Sequence, residues 1–151
     1  MRILNPREEA ATLLEYHRGE HSMASSMAVL SHQFQVIQAR SQLLLSLAAL
    51  VLTITGFSGP KIAATNSATR ALMICGIVLD VVSIGVLLIQ SLKVRWSTQI
   101  RGASDLETLE LIILNRNKKT THYFVALVLL VLALGSYIGS VALYLVCFPS
   151  A

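Results

Sequence analysis

Charge is what this chain has least of. Lysine, arginine, aspartate and glutamate together make up 13% of its 151 residues, against roughly 25% in an ordinary soluble domain, while 54% are hydrophobic. That balance excludes a compact water-soluble domain, because too little polar surface is left to cover the apolar side chains. Cysteine is also scarce. Cys75 and Cys147 form no framework of spaced pairs, which excludes a disulfide-stapled scaffold; both fall inside apolar runs and read as buried free thiols. No internal repeat and no low-complexity linker is present, so one structural unit is expected. Nucleotide-binding and nucleic-acid-reading motifs are missing as well.

The apolar residues gather in three blocks, each to be set against the ~20 residues a helix needs to cross ~30 Å of hydrocarbon. The 20 residues between Arg40 and Lys61 carry no charge, and Gly56, Gly59 and Pro60 are expected to stop the helix, giving a first span over 41–57. The 22 residues between Arg70 and Lys93 hold one acid, Asp80, and give a second span over 71–92. After Lys119 there is no formal charge, and the third span, 123–148, has Tyr123 and Phe124 at one end and Tyr144 and Phe148 at the other, as an interfacial belt has. The fold class read from this is all-α: a polytopic membrane protein with three transmembrane helices and a cytoplasmic helical arm over 6–40. The mostly polar residues ahead of the first block read against a cleavable signal peptide, so the first span is expected to stay as an anchor.

Lysine and arginine set the orientation. With three spans, residues 1–40 and the linker 93–121 share one side and hold ten of them, whereas the other side holds Lys61 and Arg70. The positive-inside rule then places the N-terminus and the linker in the cytoplasm and the C-terminus outside. Lipid is the expected partner of this charge: Lys93, Arg95 and Trp96 at one end of the linker, and Arg116, Lys118 and Lys119 at the other, read as headgroup anchors. A pI near 9.4 follows from topology, with no nucleic acid implied.

Outside the spans, "NPRE" (5–8) and "SDLE" (104–107) are helix-starting capping boxes. The second is expected to open a short amphipathic helix through about Asn115, separate from the third span. In the arm, Leu13, Tyr16, Met23, Met27, Leu30, Phe34 and Ile37 alternate at three and four residues, with Glu20 as a polar member, and the strip continues through Ser41, Leu44 and Ala48 into the first span. Such a heptad seam specifies a partner helix without naming its chain. It packs either on the same chain's linker or on another copy in a homo-oligomer.

Inside the spans, Asp80 is the residue that chemistry singles out. An acid near the centre of a span costs ~2.5–3.5 kcal/mol on insertion scales, so it is expected to face protein or water. Gly76, Ser83, Leu87 and Gln90 share its helical face. Gln42, Ser46, Ala49, Thr53 and Gly56 make a comparable strip in the first span, and Gly135 and Gly139 a G-x-x-x-G pair in the third. Either the stripes meet as helix-packing surfaces or the second lines a pore. No Lys, Arg or His lies within the spans to pair with Asp80.

The order of cytoplasmic helix, two spans on a short loop, helical linker with a basic end and final span resembles the Pycsar-type transmembrane effector domains of bacterial antiphage signalling, and more distantly the SLATT-type membrane effectors. The residues that carry it are "QARSQLLLSL" (38–47), with Ala39, Arg40 and the apolar run, and "NRNKKTTHYF" (115–124). Gln38 stands where the family has an acid, and Arg40 where it has lysine. The resemblance implies an inner-membrane protein that oligomerises and impairs the membrane on an upstream signal.

Three functions follow: an oligomeric membrane effector or pore, an accessory or scaffold subunit of a larger membrane complex, and a zinc peptidase. The last rests on "EYHRGEH" (15–21), where His17, Glu20 and His21 have H-x-x-E-H spacing. A zinc site needs at least three protein ligands and an open fourth position. The arm offers Glu8, Glu9 and Glu15 but no soluble core to hold a cleft, so neither an enzyme nor a cofactor is expected.

Overall fold

The computed structural model describes residues 5–16, 22–92 and 102–147. Within them the chain is all-helical: α1 (Pro6–Tyr16), α2 (Ser22–Ala63), α3 (Ser67–Leu92) and α4 (Asp105–Cys147). α2, α3 and α4 are each long and apolar enough to cross a membrane. At 42 and 43 residues, α2 and α4 extend ~63–65 Å, about twice the thickness of a hydrocarbon core.

The helix starts are set by side chains that satisfy free backbone N–H groups. At α1 the Asn5 N–H donates to Glu8 Oε2 (3.1 Å). At α4 the Glu107 N–H donates to Ser104 Oγ (3.2 Å) and the Ala103 N–H returns to Glu107 Oε2 (2.7 Å). A Cβ on Gly102 would stand 2.8 Å from Glu107 Cβ, so this start has no room for a larger residue. α3 begins at Asn66, whose Oδ1 accepts the Ala68 N–H (3.4 Å) while its own N–H donates to Thr69 Oγ1 (3.2 Å).

Two sequence expectations fail. α2 does not stop at Gly56–Pro60 but continues to Ala63. Pro60 removes one backbone hydrogen bond, yet the last turn is held by tertiary contacts: Ile62 is buried, the Thr69 hydroxyl lies 3.2 Å from the Ile62 carbonyl, and Arg70 Nε donates to the Ala63 carbonyl (3.3 Å). The linker helix and the third span are likewise not separate, since α4 runs through both. No Gly or Pro lies between Asn115 and His122, and the Thr120 and Thr121 hydroxyls fold back onto the Arg116 and Asn117 carbonyls (3.1 Å each).

The chain divides into two compact units, Met1–Arg40 with Gln90–Thr121 and Ser41–Ile89 with His122–Ala151. In the first, Ala10, Leu30, Leu109, Ile112 and Ile113 form the core, with Leu13, Leu14, Met23, Met27 and Phe34 packed against it. The core of the second is Leu44, Ala48, Val51, Leu87, Ala126 and Leu130. Its outer faces are apolar too: Ile74, Val78, Val81 and Ile89 on α3 and Val125, Val131, Leu132 and Ile138 on α4 are exposed. A surface of that kind is compatible with a membrane setting.

Candidate functional site

The face of α3 that turns inward is Met73, Gly76, Asp80, Ser83 and Leu87, all buried. Its contacts with α4 are close because its residues are small. A Cβ on Gly76 would stand 3.2 Å from the Ala133 carbonyl oxygen and 3.4 Å from Ser136 Cβ. Ser83 Oγ donates to the Ala126 carbonyl (2.8 Å), and nearer the α2–α3 turn Ser140 Oγ donates to the Thr69 carbonyl (3.2 Å). Ser58 Oγ donates to the Ile54 carbonyl (2.8 Å), which leaves it to accept from the Tyr137 hydroxyl (3.0 Å).

Asp80 sits within this face at 1% exposure. Neither of its carboxyl oxygens has a hydrogen-bond partner among the described residues, in contrast to the hydroxyls around it. Leaving a buried polar group unmade costs ~1–3 kcal/mol, and more when the group is charged. The Gln90 Oε1 is buried and unpartnered as well.

The other sequence candidates fall differently. Gln42, Ser46, Ala49, Thr53 and Gly56 do not meet the α3 stripe; they are exposed on the opposite side of α2, whose inward face is Leu44, Ala48, Val51 and Thr55. The reason is local: Ser46 and Thr53 donate to the Gln42 and Ala49 carbonyls (3.1 and 2.8 Å) and so need no second helix. Gly135 is exposed, with nothing within 4 Å of a Cβ built there, so the G-x-x-x-G pair is not a contact within the chain; Gly139 alone approaches Leu72 (3.9 Å). Cys75 and Cys147 are free but exposed rather than buried.

In the first unit, the seam residues Met23, Met27, Leu30 and Phe34 pack in one core with Leu13 of α1 and with α4, so the same chain supplies a partner for them. Ile37 is half-buried, whereas Tyr16 is 83% exposed. Arg116 is paired within the chain. Its guanidinium grips Glu9 of α1 through two bonds (2.7 and 2.8 Å) and donates to Gln33 Oε1 of α2 (2.8 Å), with both ion-pair side chains largely buried. Lys119 lies 5.3 Å from the Phe34 ring centroid, a cation–π distance. Lys118 is exposed. Lys93, Arg95, Trp96 and the His17–Glu20–His21 motif lie outside the described residues.

No known protein family, curated protein or solved structure matches this chain. Its chemistry is therefore argued from its own residues. Sequence reasoning missed Glu9 and Gln33, which only the packing of α1 and α2 brings to Arg116. It also missed the cap at Asn66–Thr69, although N-x-x-T ahead of an apolar run is a readable helix start. Among the described residues, no three His, Cys, Asp or Glu side chains gather where a metal ion could be held.

Proposed function

We propose that this is a small protein of the bacterial inner membrane, inserted through three spans with its N-terminus in the cytoplasm and its C-terminus outside, and that it acts as an oligomeric membrane effector or ion pathway. Three long apolar helices with apolar outer faces support insertion, and the ten-to-two distribution of Lys and Arg supports the orientation. The observation that carries the activity is Asp80, a buried acid with no hydrogen-bond partner among the described residues. A residue serving only to hold helices together would be bonded, as Ser83, Ser140 and Tyr137 are.

The test is ion leakage from liposomes containing the purified protein, alongside growth arrest on overproduction. Leakage that Asp80→Asn abolishes supports the reading; tight liposomes at high protein density end it. The resemblance to antiphage effectors adds a second expectation, that toxicity depends on an upstream signal.

A second reading, an accessory subunit of a larger membrane complex, is favoured by the outward strip of Gln42, Ser46, Thr53 and Gly56, polar or small where neighbouring outward residues are Leu43, Leu47 and Leu50. Stable copurification with a different membrane protein, lost when Ser46 and Thr53 are changed to leucine, would establish it.

A further inference from the structure

We propose that Asp80 is a proton-binding site, loaded from the side of the α2–α3 turn and sealed on its other side by the apolar layer around Leu87. The inference rests on reading Asp80 as the working group of the bundle, and it names the ion that group takes.

The contacts of Ser83 with Ala126 and of Gly76 with Ala133 fix the register of α3 on α4 and bring Asp80 level with Leu130. The approach of Gly59 to Met73 (3.8 Å) fixes α2 and brings Asp80 opposite Val51. Both neighbours are hydrocarbon. The nearby hydroxyls of Ser83 and Thr55 donate to the Ala126 and Val51 carbonyls (2.8 and 2.7 Å) and so give a carboxylate no hydrogen bond; as cation ligands they would supply two oxygens at most. A metal cation gives up its water only to a shell of several oxygens, six to eight for calcium. These walls supply no such shell. A proton needs one carboxyl oxygen, and burying the neutral acid costs far less than burying an unpaired carboxylate.

The titratable groups facing this interior are few. From α4 they are Tyr137, bonded to Ser58, and Tyr123, packed against the Leu87 cluster; the described inward face of α2 in this unit adds none. No fixed charge there competes for the proton.

The two directions away from Asp80 differ. Toward the turn the interior is lined by paired hydroxyls, Ser58 with Tyr137 and then Ser140 with the Thr69 backbone. In the opposite direction Leu87 closes against Leu44, Ala48, Ala126 and Leu130, with Tyr123 packed against the cluster. In the proposal, the hydroxyl-bearing half is the side from which protons reach Asp80, and the Leu87 layer is where they stop.

Carbodiimide labelling of the intact protein in liposomes, read by mass spectrometry, tests this. A protonated carboxyl adds across one N=C bond of the reagent, its oxygen to carbon and its proton to nitrogen, and the O-acylisourea rearranges to a stable N-acylurea. Apolar dicyclohexylcarbodiimide should place one equivalent on Asp80, most at acid pH and several-fold less at alkaline pH, with no protection by sodium or potassium chloride. A water-soluble carbodiimide added on the cytoplasmic face should label weakly, and Leu87→Ala should raise that labelling several-fold. Labelling that ignores pH, protection by either salt, or full reaction of the wild type with the cytoplasmic water-soluble reagent would overturn the proposal; unchanged labelling in Leu87→Ala would remove the seal. Labelling does not require leakage: a labelled, leak-tight protein ends the pathway reading and leaves the proton site, whereas leakage without labelling does the reverse.

Discussion

Arg116 and Asp80 each carry formal charge into a protein interior, and the two units treat them oppositely. Arg116 is surrounded: Glu9 accepts from both of its terminal nitrogens and Gln33 from one of the same two. Asp80 is buried more deeply, at 1% exposure, and is given nothing. A chain that can satisfy one buried charge with three helices has the means to satisfy another. The lesson is that Arg116 holds structure together, while Asp80 imposes a cost on its unit that stability does not explain.

The contrast can be broken most forcefully by cutting each unit's packing. Leu30→Ala should cost about 2–5 kcal/mol in the first unit, as large-to-small changes in a full core do. Gly76→Val should be of similar size in the second, because the α4 backbone already stands 3.2 Å from where a Cβ would be. Thermal unfolding in detergent micelles measures both. If either variant melts like the wild type, the corresponding core is not the one described.

Asp80→Leu is the sharper probe. If Asp80 is the working acid of the bundle, its removal should raise stability by about 1–3 kcal/mol, the penalty for an unmade hydrogen bond, and abolish any ion leakage. A loss of stability instead would make Asp80 a structural residue like Arg116. For Arg116, Glu9→Gln should cost about 1–2 kcal/mol, since a partly buried, two-bond guanidinium pair is worth more than an exposed one. The swapped pair Glu9→Arg with Arg116→Glu should recover part of it, and an additive double-mutant cycle would show that the pair contributes nothing.

The smallest effect belongs to Gly56→Ala. A Cβ there meets nothing within 4 Å, and alanine favours helix over glycine by about 1 kcal/mol, so the monomer should be unchanged or slightly more stable. Crosslinking should show whether any assembly is lost, which separates a lipid-facing position from one covered by another protein.

Several of these features were legible early. The inward stripe of α3 is a run of small and polar residues at helical spacing in a run of valine, leucine and isoleucine, and Asp80 stands out in it by charge alone. The seam from Met23 to Ala48 could be followed through α2 by the same periodicity. What misled was the second strip on α2. Gln42, Ser46 and Thr53 look like a packing surface, but the Ser46 and Thr53 hydroxyls are satisfied within the helix and the strip faces out. Gly56 and Pro60 misled in a similar way, because their propensity was overridden by contacts with α3 that begin after the turn.

The sequence by itself determined that the chain is helical, that three stretches are long and apolar enough for a membrane, and that one acid lies inside the second, since hydropathy and the 3.6-residue period are properties of neighbouring residues. Tertiary structure alone decided which face of α2 turns inward, that Arg116 belongs to Glu9 at a separation of 107 residues, and that Asp80 has no hydrogen-bond partner among the described residues. The physical reason is common to all three. Apolar side chains are as comfortable against hydrocarbon as against protein, so hydrophobicity cannot tell inside from outside in a span, and only close packing and hydrogen bonds between distant segments make the choice.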